Sequence, residues 1–208
     1  MNRLKDKNII ITGATSGIGK ASAYQFAELG ANLILTGRRS ERLEKIKSDI
    51  NNRFNVHVTI SVFDISEYEA CVQFVESIDQ KVDILLNNAG LALGADAVFN
   101  LKKEDIDQVF AVNVQGLLTL TRLISPKMKG RNSGHIINVG STAGHEAYAG
   151  GIVYCATKHA VKAISEVTKK DLHGTNVRVS MVSPGMVETE FSNVRFKGDA
   201  EKADSVYK

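Results

Sequence analysis

At 208 residues, with 43% hydrophobic and 24% charged side chains, the chain has the size and composition of one globular domain with a substantial core. A net charge of +3 and the lack of any Lys/Arg run give no indication of a nucleic-acid partner. No apolar stretch approaches the roughly 20 residues that span a bilayer, and no signal-peptide pattern precedes the first strand. Cys71 and Cys155 lack metal or disulfide spacing. We therefore expect a cytoplasmic protein with free thiols and no metal, membrane or nucleic-acid partner.

Short apolar runs alternate along the chain with longer amphipathic segments. The apolar runs predict six strands, at residues 8–12, 32–36, 56–62, 82–86, 134–139 and 177–182. Helical patterns predict helices at residues 17–29, 40–52, from 66, 103–129 with a break after Phe110, and 151–173. This alternation predicts a doubly wound α/β fold of the Rossmann type, with one parallel sheet and ligands at the carboxyl ends of its strands. No linker divides the chain, so residues 1–208 are expected to form a single domain.

A glycine-rich turn follows the first strand and opens the first helix. Gly13, Gly17 and Gly19 stand in the spacing Gly-x-x-x-Gly-x-Gly. Such glycines let the backbone approach a pyrophosphate, which the free N–H groups of the helix N-terminus then bind. By itself the spacing fits any glycine-rich turn, but its position after the first strand favours dinucleotide binding.

The end of the second strand carries Arg38 and Arg39 and no acidic residue. An enzyme that uses NAD needs a carboxylate there, to accept a hydrogen bond from the adenosine 2′-hydroxyl. A guanidinium instead presents a planar set of donors that suits a 2′-phosphate. The sequence therefore predicts NADP(H) as the cofactor, with Arg38, nearer the strand, as the stronger candidate. The alternative is that both arginines are solvated loop charges.

Tyr154 and Lys158 lie four residues apart in a helical apolar pattern. Residues at this spacing share one helix face, so the ammonium is expected beside the phenol. A nearby cation favours the phenolate and lowers the pKa of Tyr154 from its ordinary value of about 10. Ser141 ends the fifth strand, where its hydroxyl could donate to the oxygen on which the tyrosine acts. These three groups are suited to proton transfer at an alcohol or carbonyl, although Tyr-x-x-x-Lys alone is common on solvated helices.

The combined motifs resemble those of the short-chain dehydrogenase/reductase family over nearly the whole chain. They are Thr12-Gly13-x-x-x-Gly17-x-Gly19, Asp64, Asn87-Asn88-Ala89-Gly90, Asn113, Ser141, Tyr154-x-x-x-Lys158, Pro184-Gly185 and Thr189. Within the family, the segments 87–94, 140–144, 171–175 and 189–199 are similar to those of NADP-dependent 3-hydroxy acid dehydrogenases, also described as serine or allo-threonine dehydrogenases.

The resemblance implies a role for each matched residue. Tyr154 is the implied general acid and base, Lys158 lowers its pKa and holds the nicotinamide ribose, Ser141 orients the substrate oxygen, and Asn113 holds a water in a proton relay. Asp64 accepts from the adenine amino group, although the same residue also suits a helix cap. The alternatives for Asn113 and Ser141 are a helix-breaking or buried polar residue and a plain loop hydroxyl. The implied cofactor-binding set is Gly13, Thr15, Ser16, Gly17, Ile18, Gly19, Arg38, Arg39, Asp64, Ile65, Asn88, Ala89, Gly90, Tyr154, Lys158, Pro184, Gly185, Val187 and Thr189.

The segment at about residues 185–200, after the last strand, is predicted to be a lid over the substrate. A 3-hydroxy acid carries a carboxylate, and Arg195 in this segment is a candidate ligand for it, together with Ser141 and Tyr154 for the reacting oxygen. A solvated loop charge is the alternative for Arg195. The predicted activity is hydride transfer between NADP(H) and a small 3-hydroxy acid such as serine, allo-threonine or 3-hydroxypropionate.

Two other functions fit the same motifs. One is a reductase of the family that acts on a 3-oxoacyl thioester, a sugar or a steroid, and the other is a non-catalytic NADPH-binding module. Family members of this kind usually run about 40 residues longer, with a final helix and edge strand that this sequence is expected to lack. With a full C-terminus, the family resemblance implies a homo-oligomer, either a dimer or a homotetramer.

Overall fold

The predicted apolar runs form one six-stranded parallel sheet in the computed structural model, which describes residues 4–205 and their side chains as far as Lys202. The strands are β1 (Asn8–Ile11), β2 (Asn32–Gly37), β3 (Val58–Val62), β4 (Ile84–Asn87), β5 (Gly134–Val139) and β6 (Val177–Val182). β1 and β4 consist almost wholly of buried residues, as expected for strands covered on both faces.

Helices cover both faces of the sheet. They are α1 (Gly17–Glu28), α2 (Ser40–Arg53), α3 (Tyr68–Glu76), α4 (Lys103–Phe110), α5 (Leu117–Gly130), α6 (Ile152–Asp171), α7 (Phe191–Arg195) and α8 (Ala200–Ser205). One core packs α1 and α2 against the sheet through Ala23, Ala27 and Leu43, and a second packs α3 and α5 through Phe74 and Leu120. The two apolar layers fix the strand ends, where the site lies.

The strand order β3-β2-β1-β4-β5-β6 places the reversal of winding between β1 and β4. In open α/β sheets, the connections on either side of such a point leave in opposite directions and open a crevice at the carboxyl ends of the strands. The predicted doubly wound Rossmann-type fold is therefore confirmed. The predicted domain, residues 1–208, also includes residues 1–3 and 206–208, which lie outside the described part of the chain.

Two helix boundaries differ from their predictions for identifiable reasons. The third helix begins at Tyr68 rather than at Ser66, because Asp64 Oδ1 accepts from the Ser66 backbone N–H at 3.0 Å and from its hydroxyl at 2.8 Å. These bonds make a turn before the helix. The break expected after Phe110 is a π-helical segment, Ala111–Gly116, that separates α4 from α5. π-Helical turns of this kind are frequent at functional sites.

A chain of buried amides and hydroxyls, the polar ladder, crosses the core from β4 to α6. Asn87 Nδ2 donates to Thr121 Oγ1 at 3.1 Å and to Asn138 Oδ1 at 2.9 Å, and Asn138 Nδ2 donates to Ser165 Oγ at 2.8 Å. Ser165 in turn donates to the Val161 carbonyl at 2.7 Å. Asn87 and Asn138 are register partners in the β4–β5 pair. The ladder therefore gives Asn87 a structural role in the core.

Candidate active site

A cleft of about 610 Å³ opens at the carboxyl ends of β1, β4 and β5. One wall is the glycine-rich turn, and the opposite wall is the segment between β6 and α7. Volumes of this size are typical of ligand sites. Nearly every predicted cofactor residue lines it: Gly13, Thr15, Ser16, Gly17, Ile18, Arg38, Arg39, Asp64, Ile65, Asn88, Ala89, Gly90, Tyr154, Lys158, Pro184, Gly185, Val187 and Thr189.

The glycine-rich turn has the features that a bound pyrophosphate requires. Gly13 has φ +65°, and a Cβ there would lie 2.8 Å from Ala89 Cα, so a side chain would displace the β4 loop. Gly17, with φ +52°, opens α1, whose first turn has no side-chain cap. The uncapped N–H groups of a helix N-terminus bind anions. The turn therefore fits a dinucleotide phosphate.

Gly19 does not line the cleft, although the sequence places it in the cofactor-binding set. It is buried in α1, and a Cβ there would lie 2.4 Å from Asn88 Nδ2 and 2.5 Å from the Gly13 carbonyl oxygen. Asn88 Nδ2 itself donates to the Thr12 carbonyl at 2.8 Å. Gly19 thus allows the β4 loop to pack closely against the turn, and any contribution to cofactor binding is indirect.

Arg38 and Asp64, which follow β2 and β3, face each other at the wall of the cleft. Arg38 NH1 donates to Asp64 Oδ2 at 3.2 Å, and Asp64 Oδ1 accepts from Ser66. Burial alone raises the pKa of Asp64, but the hydrogen bonds from Ser66 and the Arg38 charge outweigh it and hold the pKa below its ordinary value. Asp64 is therefore ionised at neutral pH. It accepts the hydrogen bonds of the turn before α3 and also lines the cleft.

Arg39 lies across the mouth of the glycine-rich turn. Its Nε and NH2 donate to Thr15 Oγ1 at 3.1 and 2.6 Å, and NH2 also donates to Ser16 Oγ at 2.8 Å. Its NH1 donates to Glu190 Oε2 at 2.8 Å. The pairing with Glu190 has no local sequence signal, because the two residues lie 151 positions apart.

Ser141 and Tyr154 line the same cleft, where a hydrogen bond joins their side chains. Ser141 follows β5 and its Oγ accepts from the Ala143 backbone N–H at 3.1 Å, which fixes the hydroxyl in a short turn. Burial raises the pKa of Tyr154 above its ordinary value, although a hydrogen bond with Ser141 and the charge of Arg195 act in the opposite direction. The phenol is accordingly protonated at neutral pH.

Lys158 is 5% exposed and sits one helical turn after Tyr154 on α6. Its Nζ donates to the Val139 carbonyl at 2.8 Å and lies 5.6 Å from the centroid of the Tyr154 ring. Burial lowers the pKa of Lys158 to about 8. The sequence predicts a lowered pKa for Tyr154, and this prediction is wrong for this structure. Burial of the phenol raises the pKa by more than Ser141 and Arg195 lower it.

Asn113 does not reach the cleft. It is 1% exposed within the π-helical segment, where its Oδ1 accepts from Leu91 N at 2.9 Å and its Nδ2 donates to Leu91 O at 2.8 Å. Its Nδ2 also donates to Thr157 Oγ1 at 3.1 Å, and Thr157 precedes Lys158 on α6. Asn113 therefore ties the loop after Gly90 to α6, which is the buried polar role that stands beside its implied role as a water ligand.

The far wall of the cleft contains Arg195, Tyr148 and Phe191. Arg195 Nε donates to the Gly94 carbonyl at 2.9 Å and NH1 to Tyr148 Oη at 3.1 Å. The Phe191 ring lies 5.4 Å from that of Tyr154, centroid to centroid. The sequence motifs did not point to Tyr148, in the loop before α6, or to Phe191, the first residue of α7. His145 hydrogen-bonds Ser183 Oγ at 3.0 Å and stays at the surface.

Between residues 4 and 202, no group of three or more His, Cys, Asp or Glu side chains is placed to hold a metal ion. None of the helices described between residues 4 and 205 combines the length and the apolar character needed to cross a membrane.

A doubly wound sheet with a phosphate-fitting turn beside proton-transfer groups is typical of a nucleotide-dependent dehydrogenase. The fold and the cleft thus define the class of protein.

Comparison with known proteins makes this class specific. The family model for "short chain dehydrogenase" matches residues 7–200. The chain therefore belongs to the short chain dehydrogenase family, which confirms the predicted family and its oxidoreductase class. The match spans every strand of the sheet and the whole cleft.

Three relatives illustrate where the chain lies within the family. An NADP-dependent 3-hydroxy acid dehydrogenase of Schizosaccharomyces pombe is 43% identical over 212 positions, covering 100% of this chain and 82% of that protein. The NADP-dependent 3-hydroxy acid dehydrogenase YdfG of Escherichia coli K12 is 44% identical over 203 positions, covering 96% and 80%. A solved closed form of serine dehydrogenase complexed with NADP+ superposes with a TM-score of 0.92 at 43% identity, covering 97% and 81%. These names agree with the predicted cofactor.

Proposed function

We propose that the protein transfers a hydride between NADP(H) and the C3 hydroxyl or carbonyl of a small 3-hydroxy acid, such as serine, allo-threonine or 3-hydroxypropionate. The observation that carries the proposal is the position of Arg195, which lines the same cleft as Tyr154 and donates to Tyr148 Oη at 3.1 Å. A cation in the same cleft as the proton-transfer group suits a substrate with a carboxylate near its reacting carbon. The names of the relatives support the same substrate class.

The cofactor site follows from the residues along the cleft. The glycine-rich turn and the N-terminus of α1 hold the pyrophosphate, while Arg38 and Arg39 at the end of β2 hold the 2′-phosphate. Asp64, Ile65, Asn88, Ala89 and Gly90, which line the cleft, are assigned to the adenosine part of the cofactor. Pro184, Gly185, Val187 and Thr189, which also line it, are assigned to the nicotinamide part. A bound NADP(H) supplies the hydride chemistry.

Tyr154 moves the proton. In reduction its phenol, protonated at neutral pH because of its burial, donates to the carbonyl oxygen, and in oxidation the phenolate accepts the hydroxyl proton. Ser141, fixed by the Ala143 N–H, hydrogen-bonds the same oxygen and aligns it with the phenol. Lys158 supplies a buried positive charge that favours the phenolate during oxidation. Asn113 ties α6, which carries Tyr154 and Lys158, to the loop after β4, and its predicted water relay remains part of the proposal.

The lid predicted at about residues 185–200 also remains a proposal, supported by its contacts. The Gly94 N–H donates to the Arg195 carbonyl at 2.8 Å, and Lys197 Nζ contacts Asp105 at 2.8 Å, so α7 is tied to the loop after β4 and to α4. Glu190 ties its start to Arg39. These contacts are side-chain and loop hydrogen bonds at the surface, which open at low cost in free energy.

Assembly and location remain predictions of the sequence. Leu118 on α5 and Val167 on α6 are 47% and 53% exposed, and exposed large apolar side chains suit contact with a second copy. We accordingly keep the homo-oligomer, a dimer or tetramer, and the cytoplasmic location as parts of the proposal.

The first experiment follows absorbance at 340 nm with NADP+ and L-serine, and repeats the assay with NAD+, with 3-hydroxypropionate and with allo-threonine. NADPH formation with at least one 3-hydroxy acid, and much slower turnover with NAD+, is the expected result. A panel of other family substrates, such as 3-oxoacyl thioesters, sugars and steroids, is run in the reductive direction. Turnover confined to that panel would show that another carbonyl is the substrate, and binding without turnover of any kind would leave a non-catalytic module.

Replacing Arg195 tests the substrate carboxylate directly. We expect Arg195→Ala to raise the KM for a 3-hydroxy acid about 10- to 100-fold, because a hydrogen bond to a charged group contributes roughly 1.5–3 kcal/mol. Arg195→Lys should recover part of the loss, since it keeps the charge but not the planar donor set. The KM is measured under saturating NADP+ for each variant.

Two controls separate carboxylate binding from damage to the lid. Lys197→Ala removes a neighbouring cation that pairs with Asp105 outside the cleft, so its KM should stay within about twofold of the unmodified protein. A substrate alcohol without a carboxylate should show little change with Arg195→Ala. An unchanged KM for the hydroxy acid in Arg195→Ala would assign Arg195 to the surface of the lid rather than to the substrate.

A further inference from the structure

The Glu190 carboxylate bridges two guanidinium groups at the adenosine end of the cleft. Arg42 NH1 donates to both carboxylate oxygens, at 2.6 and 2.7 Å, and Arg39 NH1 donates to Oε2 at 2.8 Å. Arg42 lies in the first turn of α2, whereas Glu190 immediately precedes α7. The bridge thus connects the end of β2 with the start of the lid. All three side chains are 41–46% exposed, so an incoming ligand can reach them.

The bridge engages the arginine that is expected to bind the cofactor 2′-phosphate. All three guanidinium nitrogens of Arg39 donate to acceptors of this chain: Nε and NH2 to hydroxyls of the glycine-rich turn, and NH1 to Glu190. Among the residues lining the cleft, Glu190 and Asp64 are the two acidic side chains, and Asp64 is paired with Arg38. An arriving phosphate therefore meets guanidinium groups that already hold a carboxylate.

We propose that Glu190 is a specificity-determining residue that occupies the phosphate position on Arg39 and Arg42 until the 2′-phosphate of NADP(H) replaces it. Arg42 then becomes a further cation of the phosphate site, next to Arg38 and Arg39. The inference rests on the proposed NADP(H) function. It adds Glu190 as a competing anion and Arg42 as a further phosphate ligand at the same site.

The exchange leaves the guanidinium groups paired, because one anion replaces another on the same N–H donors. A carboxylate and a phosphate both accept paired N–H bonds from a guanidinium, and the phosphate carries the larger charge. The nonphosphorylated cofactor, NAD(H), brings no anion to this position, so it gains nothing from displacing Glu190. The exposed bridge has a modest strength, which makes it replaceable rather than a permanent block.

The test measures the dissociation constants of NADPH and NADH by cofactor fluorescence for the full chain and four variants. Glu190→Gln should lower the NADPH dissociation constant about three- to fivefold and leave that of NADH within about twofold, because only the phosphate competes with the carboxylate. Arg42→Met should raise the NADPH dissociation constant about three- to tenfold, again without affecting NADH. Opposite signs for the two ends of one ion pair distinguish competition from a merely structural bridge.

Matched variants control for net charge and for folding. Glu188→Gln makes the same charge change two residues away, at an exposed side chain, and should leave both dissociation constants within about twofold. Arg53→Met removes a cation from the last turn of α2, where it pairs with Asp49, and should do the same. The unchanged NADH affinity of every variant reports that the cleft is intact.

Weaker or unchanged NADPH binding in Glu190→Gln would overturn the proposal. Weaker binding would mean that Glu190 positions the arginines for the phosphate, and unchanged binding would mean that it has no effect on the cofactor. That outcome differs from failure of the proposed cofactor preference. If the unmodified protein binds NADPH and NADH equally, the NADP(H) assignment fails and the competition falls with it. A preference for NADPH that does not respond to Glu190 leaves the assignment standing and removes only the competition.

Discussion

Replacing Tyr154 with Phe is expected to lower kcat about 10²- to 10⁴-fold, the usual contribution of a positioned general acid or base. The substitution removes one hydroxyl and keeps the ring, which packs 5.4 Å from Phe191, so the cleft should hold its shape. Ser141 and Lys158 remain, but neither replaces the proton donor. Turnover is followed as NADPH formation or consumption, and cofactor affinity is measured separately by fluorescence.

Tyr68→Phe is the matched control for this variant. Tyr68 begins α3, and its hydroxyl accepts from Arg122 NH1 at 2.8 Å outside the cleft, so the same atom is removed where no chemistry is expected. Its kcat should stay within about twofold of the unmodified protein. Full activity in Tyr154→Phe, with NADPH binding retained, would mean that another group transfers the proton.

The state of Tyr154 also fixes how the two reaction directions depend on pH. Burial raises the pKa of this phenol, so the neutral acid needed for reduction is present across the neutral range, while the phenolate needed for oxidation is scarce. Oxidation measured as kcat/KM should therefore increase as the pH rises from 6 to about 8, whereas reduction stays nearly level. Tyr154→Phe should remove the pH dependence together with the activity.

Lys158→Met is expected to abolish turnover while making the cofactor-free protein more stable. Burial lowers the pKa of Lys158 to about 8 from an ordinary value of 10.5, which means that the folded protein disfavours the ammonium. A shift of this size corresponds to about 3 kcal/mol, less what the hydrogen bond to the Val139 carbonyl contributes. We expect the free energy of unfolding at pH 7 to increase by about 1–3 kcal/mol, measured by urea denaturation.

The pH dependence of this stabilisation has a definite sign. Below pH 8 both the folded and the unfolded lysine are protonated, so the full penalty of the buried ammonium is present in the unmodified protein. Between about 8 and 10.5 the unfolded chain binds more protons than the folded one, so the stability contributed by this site rises with pH. The advantage of Lys158→Met should therefore shrink over that interval.

Lys169→Met is the control on the same helix, because Lys169 is exposed in the last turn of α6. Its substitution should change the free energy of unfolding by no more than about 0.5 kcal/mol at any pH. A destabilised Lys158→Met at pH 7 would show that the ammonium and its hydrogen bond support the fold. In that case the buried ammonium would not lower the stability of the folded protein.

The strands and the glycine-rich turn could be predicted from the sequence because their signals are local. Apolar runs such as residues 32–36 stand between polar segments, and β2 forms there, from Asn32 to Gly37. Gly13 and Gly17 adopt the positive φ angles that such a turn requires. The spacing of Tyr154 and Lys158 is likewise local, and the structure places both in one cleft.

Contacts between distant segments could not be predicted in the same way. The Glu190 bridge depends on how the segment after β6 crosses the cleft, which no period or spacing encodes. Tyr148 accepts a hydrogen bond from Arg195 in the cleft, and Arg195 in turn donates to the carbonyl of Gly94. The direction of the Tyr154 pKa was predicted wrongly because the sequence shows the neighbouring cation but not the depth of burial.

The polar ladder has a consequence for how the strands find their alignment. Apolar side chains in a sheet covered on both faces are largely interchangeable, so a shift of β5 along β4 by two residues would still bury Ile and Val. The same shift would separate Asn87 from Asn138 and leave their amides unpaired in the interior. The ladder thus selects one alignment of β5 on β4, and that alignment brings Ser141, which follows β5, into the same cleft as Tyr154 on α6 and the loop after β4.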